Sequence, residues 1–325
     1  MTSKEVYRRI YTHQSCEHFP SPDDMISVYM PGEHYMPQPG QGKIGQDWFG
    51  TYWAAMADEL GGDTVVPGNY RLNEISEWRE KDVIPSVQKF QAFDWEGYFK
   101  ACCGDRDYDT TFVRVVMVCG FFERLHMLLG FENAMCELYD SPEDVKDFVR
   151  AMVDFKKMEV DYVMKYFHPD VISFHDDYGM ERQLFMKPSM WHEFFEPAVN
   201  EIVSYMHSKG ATVQFHSCGY IMDVIGPLVD SGVDAVEIQD VNDLKKIKEL
   251  YGERIVIVSG IDYDRQKSQG KTDAEIRETA RALYVDLIKE NGFLPKFLID
   301  VAEELLAESL SLIHISEPTR PRLIS

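Results

Sequence analysis

A strand-helix-strand unit is encoded by residues 211–240, "ATVQFHSCGYIMDVIGPLVDSGVDAVEIQD". The apolar runs at 211–219 and 234–240 have the pattern of strands, and the segment 220–231 between them has the pattern of a helix. Strands that alternate with helices along a chain pair in parallel. This stretch therefore predicts an α/β protein built on a parallel sheet.

The same alternation continues on both sides of this unit. Strands are predicted at 110–120, 170–177, 254–262 and 292–300, and helices at 141–167, 188–210, 242–251 and 272–290. Pro197 lies inside the helix predicted at 188–210 and should kink or break it. No G-x-G-x-x-G follows any of these strands, which disfavours an open dinucleotide-binding sheet. We therefore predict a closed (β/α)8 TIM barrel rather than an open doubly wound sheet.

One barrel domain is predicted over residues 1–309. Residues 1–110 are aromatic, rich in proline and glycine and poorly periodic, so they are expected to form an elaborated cap with one or two strands; 111–309 carry the regular βα units. The tail 310–325 contains "LSLIHISEPTR", which resembles the translation of a transposase adapter used for sequencing libraries. We expect this tail not to be native, the alternative being a genuine irregular C-terminus. His314 within it is given no weight as a ligand.

Composition narrows the class of protein. With 33 Lys and Arg against 55 Asp and Glu, the formal net charge of the 325 residues is -22, which disfavours partners such as nucleic acid or an anionic membrane surface. The six cysteines follow no disulfide framework and the N-terminus lacks the apolar core of a signal peptide, so we expect a cytoplasmic protein with reduced thiols. No apolar run approaches the roughly 18 residues of a membrane-spanning helix.

His216 and Cys218 are the first candidates for chemistry. In an extended strand alternate side chains share a face, so both point to the same side at the end of their strand. Their Cα atoms would lie roughly 6 to 7 Å apart, a span that an imidazole and a thiolate can close onto one zinc ion. Two ligands alone are weak evidence for a zinc site, which normally has three or four protein ligands. The alternative is a hydrogen-bonded barrel histidine beside an inert buried thiol.

Asp176 and Asp177 end the strand 170–177 and can divide two roles between them. Successive strand residues face opposite sides, so only one can enter the mouth of a barrel, while the other caps the next helix or pairs with a base. The carboxylate in the mouth could be a metal ligand, a general base or the partner that fixes the tautomer of His216. Glu181, in the following loop, is either a further substrate-binding group or a solvated charge.

Further candidate site residues lie on or after the later strands and in the N-terminal cap. Glu237 and Gln239 share a face of the strand 234–240, which suits a third metal ligand and a substrate-orienting amide. Substrate or cofactor binding at the rim, or an aromatic wall for a pocket, is predicted for Asp240, Asp262, Trp48 and Trp53. For the two tryptophans, core packing of the cap is the alternative.

Several stretches together resemble the uroporphyrinogen decarboxylase superfamily, most closely its corrinoid-dependent methyltransferase and O-demethylase branch. They include "GFFERLHMLLGFENAMCELYDSPEDV", "FHSCGYIMDVIGPLVDSGVDAVEIQ" and "LKKIKELYGERIVIVSGID", and the resemblance covers about residues 110–265. It implies a (β/α)8 barrel with its site at the C-terminal mouth and a zinc held by an H-x-C pair, here His216 and Cys218. It also implies transfer of a methyl group between a small substrate, such as a methoxylated aromatic methyl donor, and a corrinoid carried by a partner protein.

The thiol-methylating members of that branch complete the zinc site with a second cysteine on a late strand, and "GFLPKFLID" at 292–300 contains none. Either a carboxylate substitutes, or the ligand lies beyond residue 309, or no zinc binds. The candidate carboxylates are Asp176, Asp177, Glu181 and Glu237, of which Asp177 or Glu237 is preferred. Asp176 and Gln239 would then orient substrate. One alternative is decarboxylation of a tetrapyrrole, although Arg8, Arg9 and Arg71 do not form the paired-arginine motif of true decarboxylases. The other is a non-catalytic protein that binds a corrinoid or tetrapyrrole.

Overall fold

The computed structural model describes residues 1–34, 44–55, 63–289 and 291–316. Its strands are β1 (Met25–Tyr29), β2 (Ile44–Gln46), β3 (Tyr52–Ala55), β4 (Asp63–Val65), β5 (Phe112–Met117), β6 (Val171–His175), β7 (Val213–Ser217), β8 (Ala235–Ile238), β9 (Val256–Ser259) and β10 (Phe293–Pro295). Its helices are α1 (Ser3–Tyr11), α2 (Val87–Ala92), α3 (Trp95–Cys103), α4 (Phe121–Leu129), α5 (Phe131–Asp140), α6 (Pro142–Tyr166), α7 (Pro188–Phe194), α8 (Glu196–Ser208), α9 (Met222–Asp230), α10 (Leu244–Tyr251), α11 (Tyr263–Ser268), α12 (Asp273–Ile288) and α13 (Ile299–Ser316). From β5 onward at least one helix separates each pair of consecutive strands, as predicted.

Seven of the described strands form one parallel sheet, in the order β1-β5-β6-β7-β8-β9-β10. All residues of β8 and β9 are buried, because helices cover one face of the sheet and side chains fill the other. The sheet curls in the manner of a TIM barrel, which confirms the predicted fold class. Within the described residues, β1 and β10 are the two edges of this sheet, where closure with eight strands was expected.

The register of the strands sets polar side chains of neighbouring strands side by side. Ser173 on β6 is opposite Gln214 on β7. Two residues further along, His175 is opposite His216, which is in turn opposite Glu237 on β8. Alternate residues of a strand share a face, so these five side chains lie on one side of the sheet, in the barrel interior.

The apolar core lies between the sheet and its outer helices. Phe174 and Phe215 occupy the strand positions between the polar ones, and their ring centroids are 5.9 Å apart. Tyr178 stacks on Phe215 at 6.4 Å and meets Trp191 of α7 edge-on at 5.8 Å. All four side chains are fully buried. Apolar residues that face the helices therefore alternate on β6 and β7 with polar residues that face the interior.

Helix α1 covers the N-terminal ends of the strands. Its Arg8 donates to Asp170, the residue immediately before β6, at 2.7 Å. Tyr11, at the end of α1, enters the barrel and donates its hydroxyl hydrogen bond to Gln214 of β7. The base of the barrel is thus closed by α1, and the C-terminal ends of the strands form the mouth at the other end.

The N-terminal cap contains more strands than predicted. β1 joins the barrel sheet, whereas β2, β3 and β4 form a separate antiparallel sheet of three strands. One or two strands were expected in residues 1–110. Each strand of the small sheet has only three or four residues, which is too short for an alternating pattern to be recognised in a sequence rich in glycine and proline.

The predicted helices and strands are recovered with two differences. The helix predicted at 188–210 is broken into α7 and α8 at Phe195, two residues before Pro197, which confirms the expected break. The strand predicted at 292–300 is wrong beyond Pro295, because Leu298 takes the left-handed backbone conformation with φ of 47° and α13 then begins. The sequence pattern also did not predict α4 and α5, which the left-handed Gly130 separates.

Three sequence predictions concern membrane spans and the C-terminal end of the chain. In the part of the chain that the structure describes, no helix has the length and apolar character needed to cross a membrane. The domain boundary predicted at residue 309 falls inside α13, and residues 317–325 lie outside the described residues. The non-native origin of 310–325 stays a prediction.

Candidate metal centre

Three side chains converge at the mouth, and we call Asp177, His216 and Cys218 the mouth cluster. The His216 Nε2 atom lies 3.4 Å from Cys218 Sγ and 3.8 Å from Asp177 Oδ1. One ligand atom from each of the three residues lies within 4.8 Å of the other two. Imidazole nitrogen, thiolate sulfur and carboxylate oxygen are all zinc ligands, so the donor set fits that metal.

The loops after β6 and β7 hold the mouth cluster in place. The backbone N–H of Cys218 donates to Asp177 Oδ1 at 2.7 Å, and the N–H of Tyr220 donates to the Met180 carbonyl at 2.6 Å. Gly219 between them has φ of 76°, and a Cβ atom there would overlap the backbone of the loop after β6. The glycine that closes the "HSCG" run therefore lets the two loops approach each other closely enough to bring the carboxylate to the thiol.

The Cys218 thiol is protonated at neutral pH in the absence of a cation. Burial is the main cause that raises its pKa, and the neighbouring Asp177 carboxylate raises it further. A thiolate at this position therefore requires a compensating positive charge, which a divalent metal supplies on binding. The residues present at the mouth fit such an ion.

Asp176 faces away from the metal ligands and holds the start of α4. Its carboxylate accepts hydrogen bonds from the backbone N–H groups of Phe121, Phe122 and Glu123 at 2.7, 3.1 and 2.9 Å, and from the Tyr178 hydroxyl at 2.5 Å. Burial raises its pKa to about 6, although these hydrogen bonds oppose the shift. The two adjacent aspartates thus divide between the mouth and a helix N-terminus. A role of Asp176 in orienting substrate stays a prediction.

Glu237, predicted as a metal ligand, lies on the other side of the His216 ring. Its Oε1 atom is 3.6 Å from His216 Nδ1, whereas Nε2 faces the mouth cluster. His175 stacks on His216 with ring centroids 4.2 Å apart, and we call His175, His216 and Glu237 the inner row. Ligand atoms of the inner row also lie within 4.8 Å of one another. His216 therefore takes part in two groups that could hold a metal, through different ring nitrogens.

Cationic and amide side chains surround Glu237. Gln214 Nε2 donates to its Oε2 at 2.5 Å, Arg114 Nη1 lies 3.7 Å from the same oxygen, and Lys296 Nζ pairs with Oε1. Burial raises the pKa of Glu237, but His216, Lys296 and Arg114 together bring it well below its usual range. Glu237 is therefore a buried, ionised carboxylate whose partners are in place without a metal.

Gln239, predicted to orient substrate, and Asp240 and Asp262, predicted at the rim, make hydrogen bonds or ion pairs within the protein. Gln239 Oε1 accepts the backbone N–H of Gly219 at 2.8 Å, which supports the loop that carries Cys218. Asp240 pairs with Arg265, and Asp262 Oδ1 accepts the backbone N–H of Arg265 at 3.0 Å as the cap of α11. These contacts bring Gln239 next to the mouth cluster and gather the two aspartates around one arginine. Substrate binding by any of them stays a prediction.

The two tryptophans pack within the cap, and Glu181 lies at the surface. Trp48 packs edge-on against Phe90 at 5.1 Å, in the aromatic core of the cap. Trp53 is buried, donates to Asp47 Oδ2 at 3.0 Å and packs edge-on against His34 at 4.2 Å. Glu181 is exposed. The structure therefore does not bring these three residues into the mouth cluster.

Sequence reasoning missed Arg114 and Lys296, which complete the surroundings of Glu237. The sequence does contain a signal for Arg114, because a lone arginine inside the apolar run "FVRVVM" needs a buried partner.

Glu123, in the first turn of α4, was also missed. Burial and then Asp177 and Asp176 raise its pKa well above its usual range, and its Oε2 is buried with no hydrogen-bond partner.

Comparison with known proteins identifies the family. Residues 113–283, over half of the 325-residue chain, match the uroporphyrinogen decarboxylase (URO-D) family. The chain belongs to the URO-D family. The URO-D match contains all three residues of the mouth cluster. No curated protein matches the sequence.

Solved structures support the fold of this URO-D protein. A methyltransferase from Methanosarcina mazei is similar to it with a TM-score of 0.62 at 12% sequence identity, over 96% of this chain and 99% of that one. Old Yellow Enzyme from Pichia sp. AKU4542 has a TM-score of 0.38 at 8% identity, over 69% of this chain and 68% of that one. The first similarity establishes a shared fold, and the second is too weak to support any comparison.

Proposed function

We propose that this URO-D protein is a cytoplasmic methyltransferase that moves a methyl group between a small substrate and a corrinoid carried by a partner protein. Methoxylated aromatic compounds are the candidate methyl donors. The observation that carries the proposal is the convergence of His216 Nε2, Cys218 Sγ and an Asp177 oxygen at the mouth of the barrel. The similarity in fold to the methyltransferase from Methanosarcina mazei adds support.

Zinc is the proposed metal of the mouth cluster. Three protein ligands leave a fourth position open, which is typical of catalytic rather than structural zinc sites. When bound there, zinc acts as a Lewis acid that activates a thiol or polarises an ether oxygen of the substrate.

The chain itself orients the ligands. Asp177 is held by the Cys218 N–H at 2.7 Å, and His216 is held by the stacked ring of His175 at 4.2 Å. Gln239 fixes Gly219, the residue after Cys218, by accepting a hydrogen bond from the Gly219 N–H. Side chains whose positions are already set lose little entropy on binding a metal, so the mouth cluster is suited to hold one.

Decarboxylation of a tetrapyrrole is the weaker proposal, because the substrate's carboxylates would need free cations at the mouth. Arg124 is buried in a pair with Asp47 at 2.7 Å, and Arg265 is paired with Asp240. Arg8 binds Asp170 at the base of the barrel, the end away from the mouth. These three arginines are therefore committed to partners within the protein.

Metal analysis tests the proposal first. After incubation with zinc and removal of excess, mass spectrometry should find about one zinc per wild-type chain, as expected of one three-ligand site. The variants His216→Ala and Cys218→Ala should lose it. Cys136→Ala, which removes an exposed thiol on α5, should retain it. Wild-type protein that binds no zinc would contradict the metal chemistry.

Methyl transfer is tested with free cobalamin as a substitute for the corrinoid protein. Reduced Co(I) cobalamin is mixed with the zinc protein and a panel of methoxylated aromatics, and the visible spectrum reports formation of methylcobalamin. Transfer by the wild type and by Cys136→Ala, but not by Cys218→Ala, is expected. Zinc binding without any methyl transfer would overturn the proposed reaction. Tight cobalamin binding with neither zinc nor transfer would instead indicate a non-catalytic corrinoid-binding protein.

A further inference from the structure

We propose that Glu237 is a positioning residue rather than a metal ligand: fixed by Lys296 and Gln214, it faces His216 Nδ1 and so directs Nε2 to the mouth cluster. This inference rests on the proposed function, since it assumes that the mouth cluster is the metal site. It differs from the ligand role that the sequence suggested for Glu237. It also gives a task to charged residues inside the barrel that the proposed function leaves unused.

The two ring nitrogens of His216 face different groups. Nε2 lies 3.4 Å from Cys218 Sγ and 3.8 Å from Asp177 Oδ1, while Nδ1 lies 3.6 Å from Glu237 Oε1. A ring nitrogen that carries a proton cannot bind a metal, and a carboxylate favours the proton on the nitrogen that it faces. Nδ1 is buried without a hydrogen-bond partner and has Glu237 Oε1 at 3.6 Å, whereas Asp177 Oδ1 lies farther from Nε2 and already accepts the Cys218 N–H at 2.7 Å. Glu237 therefore favours the tautomer with the Nε2 lone pair free.

Glu237 is held from the barrel interior and cannot readily turn toward the mouth. Gln214 donates to Oε2 at 2.5 Å and to Ser173 Oγ at 3.0 Å, and it accepts the hydrogen bond of Tyr11. Lys296 pairs with Oε1. Movement of the carboxylate toward Cys218 would break these contacts inside a buried space, where unpaired polar groups are costly.

Binding of a metal to the inner row is the competing arrangement. Its ligand atoms are close enough, but Lys296 and Arg114 both lie within ion-pair distance of the Glu237 carboxylate. A divalent cation there would be repelled by two positive charges at short range in a poorly hydrated interior. It would also occupy Nδ1 of His216. The charges therefore favour the mouth cluster.

The proposal predicts a graded effect on metal affinity. Loss of a carboxylate that orients a metal-binding histidine typically lowers metal affinity by about 10- to 100-fold, without removing any ligand. Glu237→Gln keeps the size and one oxygen of the side chain. Lys296→Met keeps a long unbranched side chain but removes its charge and so frees the carboxylate. Both variants should bind metal more weakly, with the thiolate of Cys218 still coordinated.

Cobalt(II) titration followed by visible spectroscopy measures this. The wild type should develop a thiolate-to-cobalt charge-transfer band, and Glu237→Gln should show the same band with an affinity lower by about 10- to 100-fold. Glu249→Gln, which alters an exposed glutamate on α10, is the matched control and should titrate as the wild type does. Equal affinity of Glu237→Gln and wild type would overturn the proposal. Cobalt binding without a thiolate band would assign the metal to the inner row and overturn it as well.

Nitrogen NMR of the metal-free protein provides a test that does not depend on metal binding. The imidazole ¹⁵N shifts of His216, assigned by comparison with His216→Ala, should report a proton on Nδ1 in the wild type and a shift of that proton toward Nε2 in Glu237→Gln. A proton on Nε2 in the wild type would contradict the positioning role even if the protein binds zinc. The expected tautomer in a protein that binds neither zinc nor cobalt would instead contradict only the proposed function.

Discussion

At the scale of the residue, Gly219 controls how closely the loops after β6 and β7 approach. Gly219→Ala should lower the free energy of unfolding by more than the about 1–2 kcal/mol of a left-handed residue, because the new Cβ also overlaps the carbonyl of Gly179. It should weaken zinc binding too, since Cys218 moves with its loop. Urea denaturation and zinc titration measure the two effects.

Gly210→Ala is the matched control for this prediction. Gly210 also has a positive φ, of 84°, but nothing lies within 4 Å of the place where its Cβ would stand. It should show the backbone cost alone and normal zinc affinity. Equal destabilisation by the two substitutions, with zinc affinity unchanged in both, would show that loop contact at Gly219 does not matter.

Single residues also decide which features of the candidate metal centre could be predicted from the sequence. The alternation of side chains along a strand is enough to place His216 and Cys218 on one side and to separate Asp176 from Asp177. Which nitrogen of His216 faces Glu237 cannot be read from that alternation, because it depends on the register between β7 and β8 and on the rotation of one ring. Lys296 was missed because the strand before it was predicted to continue through it.

At the scale of the element, the packing of α4 against its surroundings should make stability depend on pH. The ring of His126 on α4 packs against Phe122 and Phe131. Burial lowers the pKa of His126 to about 4. Because the folded protein disfavours the charged form, this contribution to stability is complete above pH 6.5 and is lost as the pH falls toward about 4. The loss should total about 3 kcal/mol, from about 1.4 kcal/mol per pH unit.

His126→Phe tests this by removing the titrating group and keeping an aromatic ring. Chemical denaturation of wild type and variant at several pH values between 6.5 and 4 should show the wild type losing stability faster. His18→Phe, at an exposed position, should keep the pH dependence of the wild type. Parallel stability curves for the wild type and His126→Phe would refute the prediction.

Helices and strands could be predicted where the repeating pattern of apolar residues is long, and they were missed where it is short. The long amphipathic α6 and the apolar β6 to β9 follow from their patterns, because burial of one face forces the spacing of apolar residues. β10 could not be bounded, since its end depends on the left-handed backbone of Leu298. The start of α4 depends on Asp176, a carboxylate distant in sequence, so local signals for it are weak.

At the scale of the whole molecule, a buried ion cluster of Glu33, Asp47, Arg124, Lys156 and Glu159 joins the cap to the barrel. All five side chains are without solvent exposure. Lys156 on α6 pairs with Glu33 and lies 3.1 Å from Glu159, and Arg124 on α4 pairs with Asp47 at 2.7 Å. Lys156→Met should cost about 3–5 kcal/mol of stability, because it leaves two carboxylates buried without their cation.

Lys157→Met is the control at the neighbouring position of the same helix. Lys157 is paired with Glu201 at the surface, so its loss should cost less than about 1 kcal/mol. Thermal and urea unfolding compare the two variants. A loss for Lys156→Met as small as that for Lys157→Met would mean that the cluster does not hold the cap. The sequence could not reveal this cluster, because its members are spread over more than 100 residues and meet only in the folded chain.

Synthesis on the ribosome imposes an order on these contacts. Tyr11, which closes the base of the barrel, hydrogen-bonds with Gln214, 203 residues later in the chain. At translation rates of roughly 5–20 residues per second, Gln214 is made some 10 to 40 seconds after Tyr11. Phe112 of β5, on which Tyr7 and Tyr11 stack, is made earlier in this interval and can cover the apolar face of α1 first. The helix made first can therefore dock on β5 early, but it completes the base of the barrel only after β7 has been made.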